Sequence, residues 1–223
     1  GRFELFDVTV ATPGTKPVRA YLTRPAGEPG RKFPAMVTWH AAGVRSAMPQ
    51  YRFAGMGLLV LDVNAHGIGN GGSHEEYVRL YRTTMKDYRF EGADDREKIY
   101  FNGMYRRLIR ALDYLKARPD WDGRTLIVYG GSQGGEPADP AVARAVAYYD
   151  SAFFAARIRR AECLVLTGFI DTTCVPSSVY AAFNSIPSAS KRIVNFPQAI
   201  HGSYPEFDRV TDEFLAGLLR PGK

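Results

Sequence analysis

The chain has 223 residues, 45% hydrophobic and 23% charged, with a formal net charge of +6. Those fractions belong to a soluble globular protein that can bury a substantial core, and no run of about 18 apolar residues offers a membrane span. Basic residues are scattered, with only short pairs such as Arg106-Arg107 and Arg159-Arg160, so a nucleic-acid-binding tract is excluded.

In chain order, FELFDVTV (3–10) and VRAYLTRP (18–25) alternate apolar and polar residues across the turn-rich ATPGTK. They predict an antiparallel hairpin. The N-terminus has no apolar signal-peptide region, which leaves a cytoplasmic chain or a secreted one whose leader is already removed. FPAMVTWH (33–40) and GLLVLDVNA (57–65) are more continuously apolar, as suits strands buried on both faces. Between Arg96 and Pro119, Ile99, Met104, Leu108, Ala111, Leu112 and Leu115 recur at spacings near three and four, with basic residues between them. That pattern predicts an amphipathic helix. TLIVYG (125–130), ECLVLTGF (162–169) and RIVNFPQAI (192–200) read as strands. AVARAVAYYDSAFFAARI (141–158), VPSSVYAAFNSI (175–186, opened by Pro176) and YPEFDRVTDEFLAGLL (204–219) read as helices. Strands alternate with helices, so the expected fold class is α/β. The expectation is one domain over residues 1–223, with a mainly parallel sheet, an antiparallel N-terminal hairpin and helices on both faces.

Gly130-Gly131-Ser132-Gln133-Gly134 matches G-x-S-x-G directly after the strand TLIVY. Glycines there allow a sharp turn that exposes the serine above the sheet edge, where it needs a base. Asp171 follows one later strand and His201 follows the next, in the chain order serine, acid, histidine. His201 would take the Ser132 proton, and Asp171 would fix the tautomer and stabilise the imidazolium. The oxyanion of acyl transfer needs backbone donors. One is the N–H of Gln133, and the other comes from Ala41 or Ala42 in the small-residue loop after VTWH. His40, Ala41 and His66 are candidate substrate contacts.

At these residues the chain resembles the acetyl xylan esterase / cephalosporin-C deacetylase family of α/β-hydrolases. GGSQGG, GFIDTTCVPSSVYAAFNSI and IHG, with the helix before the serine, carry the resemblance. It implies cofactor-free, serine-dependent removal of acetyl groups from acetylated sugars or cephalosporin C. It places the nucleophile on Ser132, the acid on Asp171, the histidine on His201 and the oxyanion donors on Gln133 and Ala42. It also implies a small-molecule or oligosaccharide acyl ester as partner and a homo-oligomer, commonly a hexamer. The family's H-G-Y stands here as His40-Ala41-Ala42, its R-G-Q region as NAHGIGNGG and its H-E as His201-Gly202. The aromatic residue that would line the acyl pocket is therefore missing.

Three other readings are open. GIGNGG (67–72) is a literal G-x-G-x-x-G, and Ser73 with Glu76 could cap a helix at HEEYVRLY. Three residues separate it from the strand, and no acidic strand end follows about 20 positions on, so an active-site loop is preferred to a dinucleotide site. His40, His66 and His74 lack tight ligand spacing, so no metal is expected, and His40 and His66 read as polar fillers at strand ends. Cys163 and Cys174 have no CxxC spacing and are expected to be free and buried. A dienelactone hydrolase-like or peptidase-like activity, or a non-catalytic binding protein, are the alternatives on this scaffold.

One interval is too short. Only 38 residues separate Ser132 from Asp171. An α/β-hydrolase usually places two helices and two strands there, and at about 11 and 5 residues each, with loops, they exceed that length. Pro137 and Pro140 oppose the helix that should follow the serine. The chain is therefore expected to lack a segment between about Gly135 and Ala141.

Overall fold

The structure, a computed structural model, describes residues 1–27, 30–39, 42–132 and 151–220. The chain divides into two compact units, Gly1–Ser132 and Gln133–Lys223.

In the first unit the alternating N-terminal runs form β1 (Phe3–Val10) and β2 (Val18–Pro25). They pair antiparallel, from Phe3 opposite Pro25 to Val10 opposite Val18. The continuously apolar runs form β3 (Phe33–Trp39) and β4 (Leu59–Asn64). With β5 (Trp121–Tyr129) they complete a five-stranded sheet in the order β1-β2-β4-β3-β5. β2 meets β4 antiparallel, and β3 lies parallel to both β4 and β5. All six residues of β4 are buried, as its central place requires. Among the described residues this unit has three α-helices, α1 (Tyr51–Gly55), which the sequence did not suggest, α2 (His74–Arg82) and α3 (Tyr100–Lys116), and a short 3-10 turn at Tyr88–Phe90. Ala111 and Leu115 of α3 close the core over Val18, Ala20, Leu22, Leu59 and Leu61.

Two boundaries and one burial differ from the expectation. The helix expected from Arg96 starts at Tyr100, because residues 95–99 are spent on turns closed by Asp95 carbonyl and carboxylate acceptors. β5 starts at Trp121, ahead of TLIVYG. Gly123 takes a φ of 77°, and Asp122 Oδ1 accepts the Arg124 and Thr125 N–H groups, so an irregular turn is absorbed into the strand. The basic residues of α3 do not all face solvent: Arg107 is 2% exposed.

In the second unit, α4 (Ser151–Ala155) is the described part of the helix expected over 141–158. β6 (Cys163–Gly168) and β7 (Lys191–Phe196) pair parallel. α5 (Pro176–Ser185) and α6 (Pro205–Leu218) each open on a proline, which lacks a backbone donor where a helix has none to satisfy. β7 stops at Phe196, before Pro197, rather than running to Ile200. Among the described residues three of the five strand pairings are parallel, and no helix is long and apolar enough to cross a membrane.

Candidate active site

The nucleophile candidate sits at the end of β5. Ser132 has a φ of +58°, and it alone among the described non-glycine residues takes a positive φ. A side chain in that conformation costs roughly 1–2 kcal/mol, and a strained strand-end turn is what a nucleophile elbow requires. Gly130 makes the turn possible, since a Cβ there would lie 2.9 Å from the Trp39 ring. Ser132 is exposed. Gln133, His40 and Ala41 lie outside the described residues.

The loop after β3 carries Ala42, the other backbone-donor candidate. Three buried polar side chains pin this loop, spaced two residues apart along β4 and its extension. Asp62 Oδ2 accepts the Met48 N–H at 2.7 Å, Asn64 donates to the Arg45 carbonyl at 3.0 Å, and His66 Nε2 meets the Gly43 carbonyl at 3.0 Å. Asp62 also holds the Thr38 hydroxyl. A carbonyl can only accept, so His66 carries its proton on Nε2, and Nδ1 accepts from the Tyr100 hydroxyl at 2.9 Å. The Gly43 N–H is held as well, by Tyr88. Gly43 has a φ of 111°, which favours glycine. His66, Tyr88 and Tyr100 form one aromatic cluster with centroids 4.8–5.8 Å apart. Burial pushes the Tyr100 hydroxyl up to about 12, against a smaller opposing pull from Arg107. Arg107 itself gives two hydrogen bonds to the Ala65 carbonyl and one to Thr15, and burial lowers its pKa.

This arrangement corrects the reading of His66 as a substrate contact. Its ring is fully buried with both nitrogens bonded, so it reaches the loop and not a ligand. Against the loop lies a cavity of about 370 Å³, lined by Ala42, Gly43, Val44, Tyr77, Tyr81, Tyr88 and Arg89 among others. GIGNGG is pinned too. Gly67 N–H donates to the Asn64 carbonyl, Gly71 N–H to Ser46 Oγ and Gly72 N–H to Tyr77 Oη. Those donors are not aimed at a phosphate. The expected capping box, Ser73 with Glu76, is present and starts α2.

The acid and the base lie in the second unit. Asp171 follows β6, and its Oδ1 accepts the Thr173 and Cys174 N–H groups, both at 2.8 Å. Its Oδ2 is 2.8 Å from His201 Nδ1. Burial pushes the Asp171 carboxyl up, but the hydrogen bonds from His201, Cys174 and Thr173 outweigh it and hold the group below the usual carboxylate range. The Asp171 carboxylate is therefore ionised above the ordinary carboxylate pKa and is protonated only as pH falls through the depressed one. The His201 segment is placed by backbone fit. A Cβ on Gly168 would lie 2.4 Å from the Ala199 carbonyl, so glycine admits that turn against the end of β6. The Ile170 N–H donates to the same carbonyl, and Tyr204 Oη accepts the Ile200 N–H at 3.1 Å.

The sequence signalled Ser132, Asp171 and His201 but not Tyr88 or Tyr100, whose polar tips act across large sequence gaps, nor Tyr204, which ties Ile200 four residues before it. The alternation Asp62-Val63-Asn64-Ala65-His66 was the available sign of the loop anchors. Both cysteines are free as expected, but half-buried rather than buried.

The sheet order, with its parallel strands joined through helices, is that of the α/β-hydrolase fold. Solved structures agree on the fold. The acetyl xylan esterase from Paenibacillus sp. R4 superposes with a TM-score of 0.79 at 22% identity, covering 97% of this chain and 84% of that one. Acetyl xylan esterase 1 from Thermoanaerobacterium sp. JW/SL YS485 gives 0.71 at 18%, covering 98% and 88%. The acetyl xylan esterase (AXE1) family model matches residues 2–143 and 136–217, and the chain belongs to that family. It is also 26% identical to the acetyl esterase Axe7A of Xylanibacter ruminicola, over 86% of this chain and 54% of that protein. The chain thus spans about half the length of the curated relative it matches. That alignment runs over 243 residues, more than the chain's 223, so the relative holds residues there with no counterpart here. The two family stretches meet at 136–143, where the sequence is expected to lack a segment. That interval lies outside the described residues.

Proposed function

We propose that this chain is a serine carboxylesterase that removes acetyl groups from acetylated sugars such as xylan. The Asp171–His201 pair carries the reading: a histidine held at 2.8 Å by a carboxylate kept ionised, at the ends of two parallel strands of an acetyl xylan esterase family chain. Ser132 attacks the acetyl carbon while His201 takes its proton at Nε2, and Nδ1–H stays on Asp171. The Gln133 and Ala42 N–H groups receive the oxyanion. His201 then protonates the leaving sugar oxygen, and water, activated by the same histidine, releases acetate. The cavity beside Ala42, walled by Tyr77, Tyr81 and Tyr88, offers aromatic surface to a sugar ring. A homo-oligomer belongs to the same proposal.

The test is turnover of p-nitrophenyl acetate and of acetylated xylo-oligosaccharides. Ser132→Ala is expected to cut kcat by about 10⁴-fold or more with the circular dichroism spectrum unchanged. Equal rates in both proteins would overturn the mechanism. Preference for a lactone or a peptide over acetyl esters would overturn the substrate class.

A further inference from the structure

The mechanism uses Asp171 and His201 but leaves unused a third group that the same turn brings beside them. We infer that Asp171, Cys174 and His201 form an inhibitory site for a thiophilic divalent cation, with Zn²⁺ the best match. One ligand atom from each side chain lies within 4.8 Å of the other two. The set is one carboxylate oxygen, one thiol sulfur and one imidazole nitrogen, a combination suited to a borderline-soft ion and unsuited to Mg²⁺ or Ca²⁺. Tetrahedral Zn²⁺ holds such ligands at about 2.0–2.3 Å, so they end up between three and four ångströms apart. The widest of the present separations therefore has to close by about an ångström, while the Asp171–His201 contact, at 2.8 Å, opens slightly to admit the ion.

The surroundings suit a metal as well. Asp171 Oδ1 is anchored by the Thr173 and Cys174 N–H groups, the kind of outer support that orients ligating carboxylates. Cys174 is free and half-buried, and the His201 side chain is 37% exposed, so an ion has a way in and water can take the fourth position. Binding takes Cys174 as thiolate, and the thiol proton leaves to solvent. It engages the carboxylate and the imidazole that the proposed reaction needs, and His201 can then no longer cycle a proton. The ion is an inhibitor rather than a cofactor. The binding half of this inference stands on geometry alone; the inhibitory half rests on the proposed esterase reading.

The experiment is a Co²⁺ titration of the full chain, followed by the ultraviolet thiolate-to-cobalt charge-transfer band and by its displacement with Zn²⁺. The expected result is a band saturating at one ion per chain, present in Cys163→Ser and lost in both Cys174→Ser and Cys174→Ala. In the ester assay, Zn²⁺ is expected to inhibit the wild type reversibly, with chelator restoring the rate. Cys174→Ser should keep basal turnover within about twofold and need at least about tenfold more Zn²⁺ for half inhibition. No band in the wild type, or a band that survives in Cys174→Ser, overturns the site. A band without any ester turnover supports the site and overturns the esterase reading. Equal Zn²⁺ sensitivity in wild type and Cys174→Ser overturns the inhibitory role.

Discussion

The two loops that carry candidate catalytic groups are held in opposite ways. The loop after β3, with Ala42, is anchored by side chains: Asp62, Asn64 and His66 are each 3% exposed or less, and each bonds a different backbone group of residues 43–48. The turn after β7, with His201, is anchored by fit: Gly168 admits the Ala199 carbonyl, one exposed tyrosine hydroxyl ties Ile200, and Ile200 itself is 58% exposed. The difference follows from what each loop delivers. A backbone N–H has no rotamer to adjust, so its position is only as good as the rigidity of its loop. An imidazole turns about its own bonds, and a single hydrogen bond to Asp171 sets it; the precision is moved from the turn to the carboxylate, which two N–H groups fix.

The comparison can be broken by substitution. Asp171→Asn should have the largest effect, about 10⁴-fold in kcat, because an amide in place of the carboxylate leaves His201 in the wrong tautomer. A loss under tenfold would mean that the pair does not set the imidazole. His66→Asn comes next. It leaves the Gly43 carbonyl without its buried donor, and kcat is expected to fall by about 10–100-fold with KM within about threefold. Restoration toward wild type by His66→Gln, which can place an N–H near the same carbonyl, would separate positioning from general loss of packing. Tyr204→Phe should be the smallest, about threefold or less in kcat, because it removes one exposed tie from a turn already set by backbone fit. If Tyr204→Phe costs as much as His66→Asn, the two loops do not differ in the way described.

The two units also differ in how well they fill. Every residue of β4 is buried, whereas β7 buries none of its six and α5 has no buried residue. Large apolar side chains stay exposed on both sides of residues 133–150, among them Val128 at 55% and Phe153 at 64%. They flank the interval where the sequence runs short of the helices and strands that an α/β-hydrolase usually has.

The local pattern was enough for the strands, for the described helices other than α1, and for the chain order Ser132, Asp171, His201. Period-two and period-3.6 spacing decide which face of an element is apolar, and glycine and proline mark where the chain must turn. The same pattern misplaced Arg107, because a basic residue among apolar ones reads as solvent-facing until the Ala65 carbonyl and Thr15 hydroxyl arrive from elements about 40 and 90 residues earlier. His66 was visible as a polar residue at a strand end, but its task was not, since Gly43, Tyr88 and Tyr100 reach it from three other parts of the chain. Only the tertiary structure put Cys174 within reach of His201, because β6 and β7 pair in parallel and bring their C-terminal turns together. Sequence determined what each element is and which residues stand at its end; the register between distant elements decided what those residues touch.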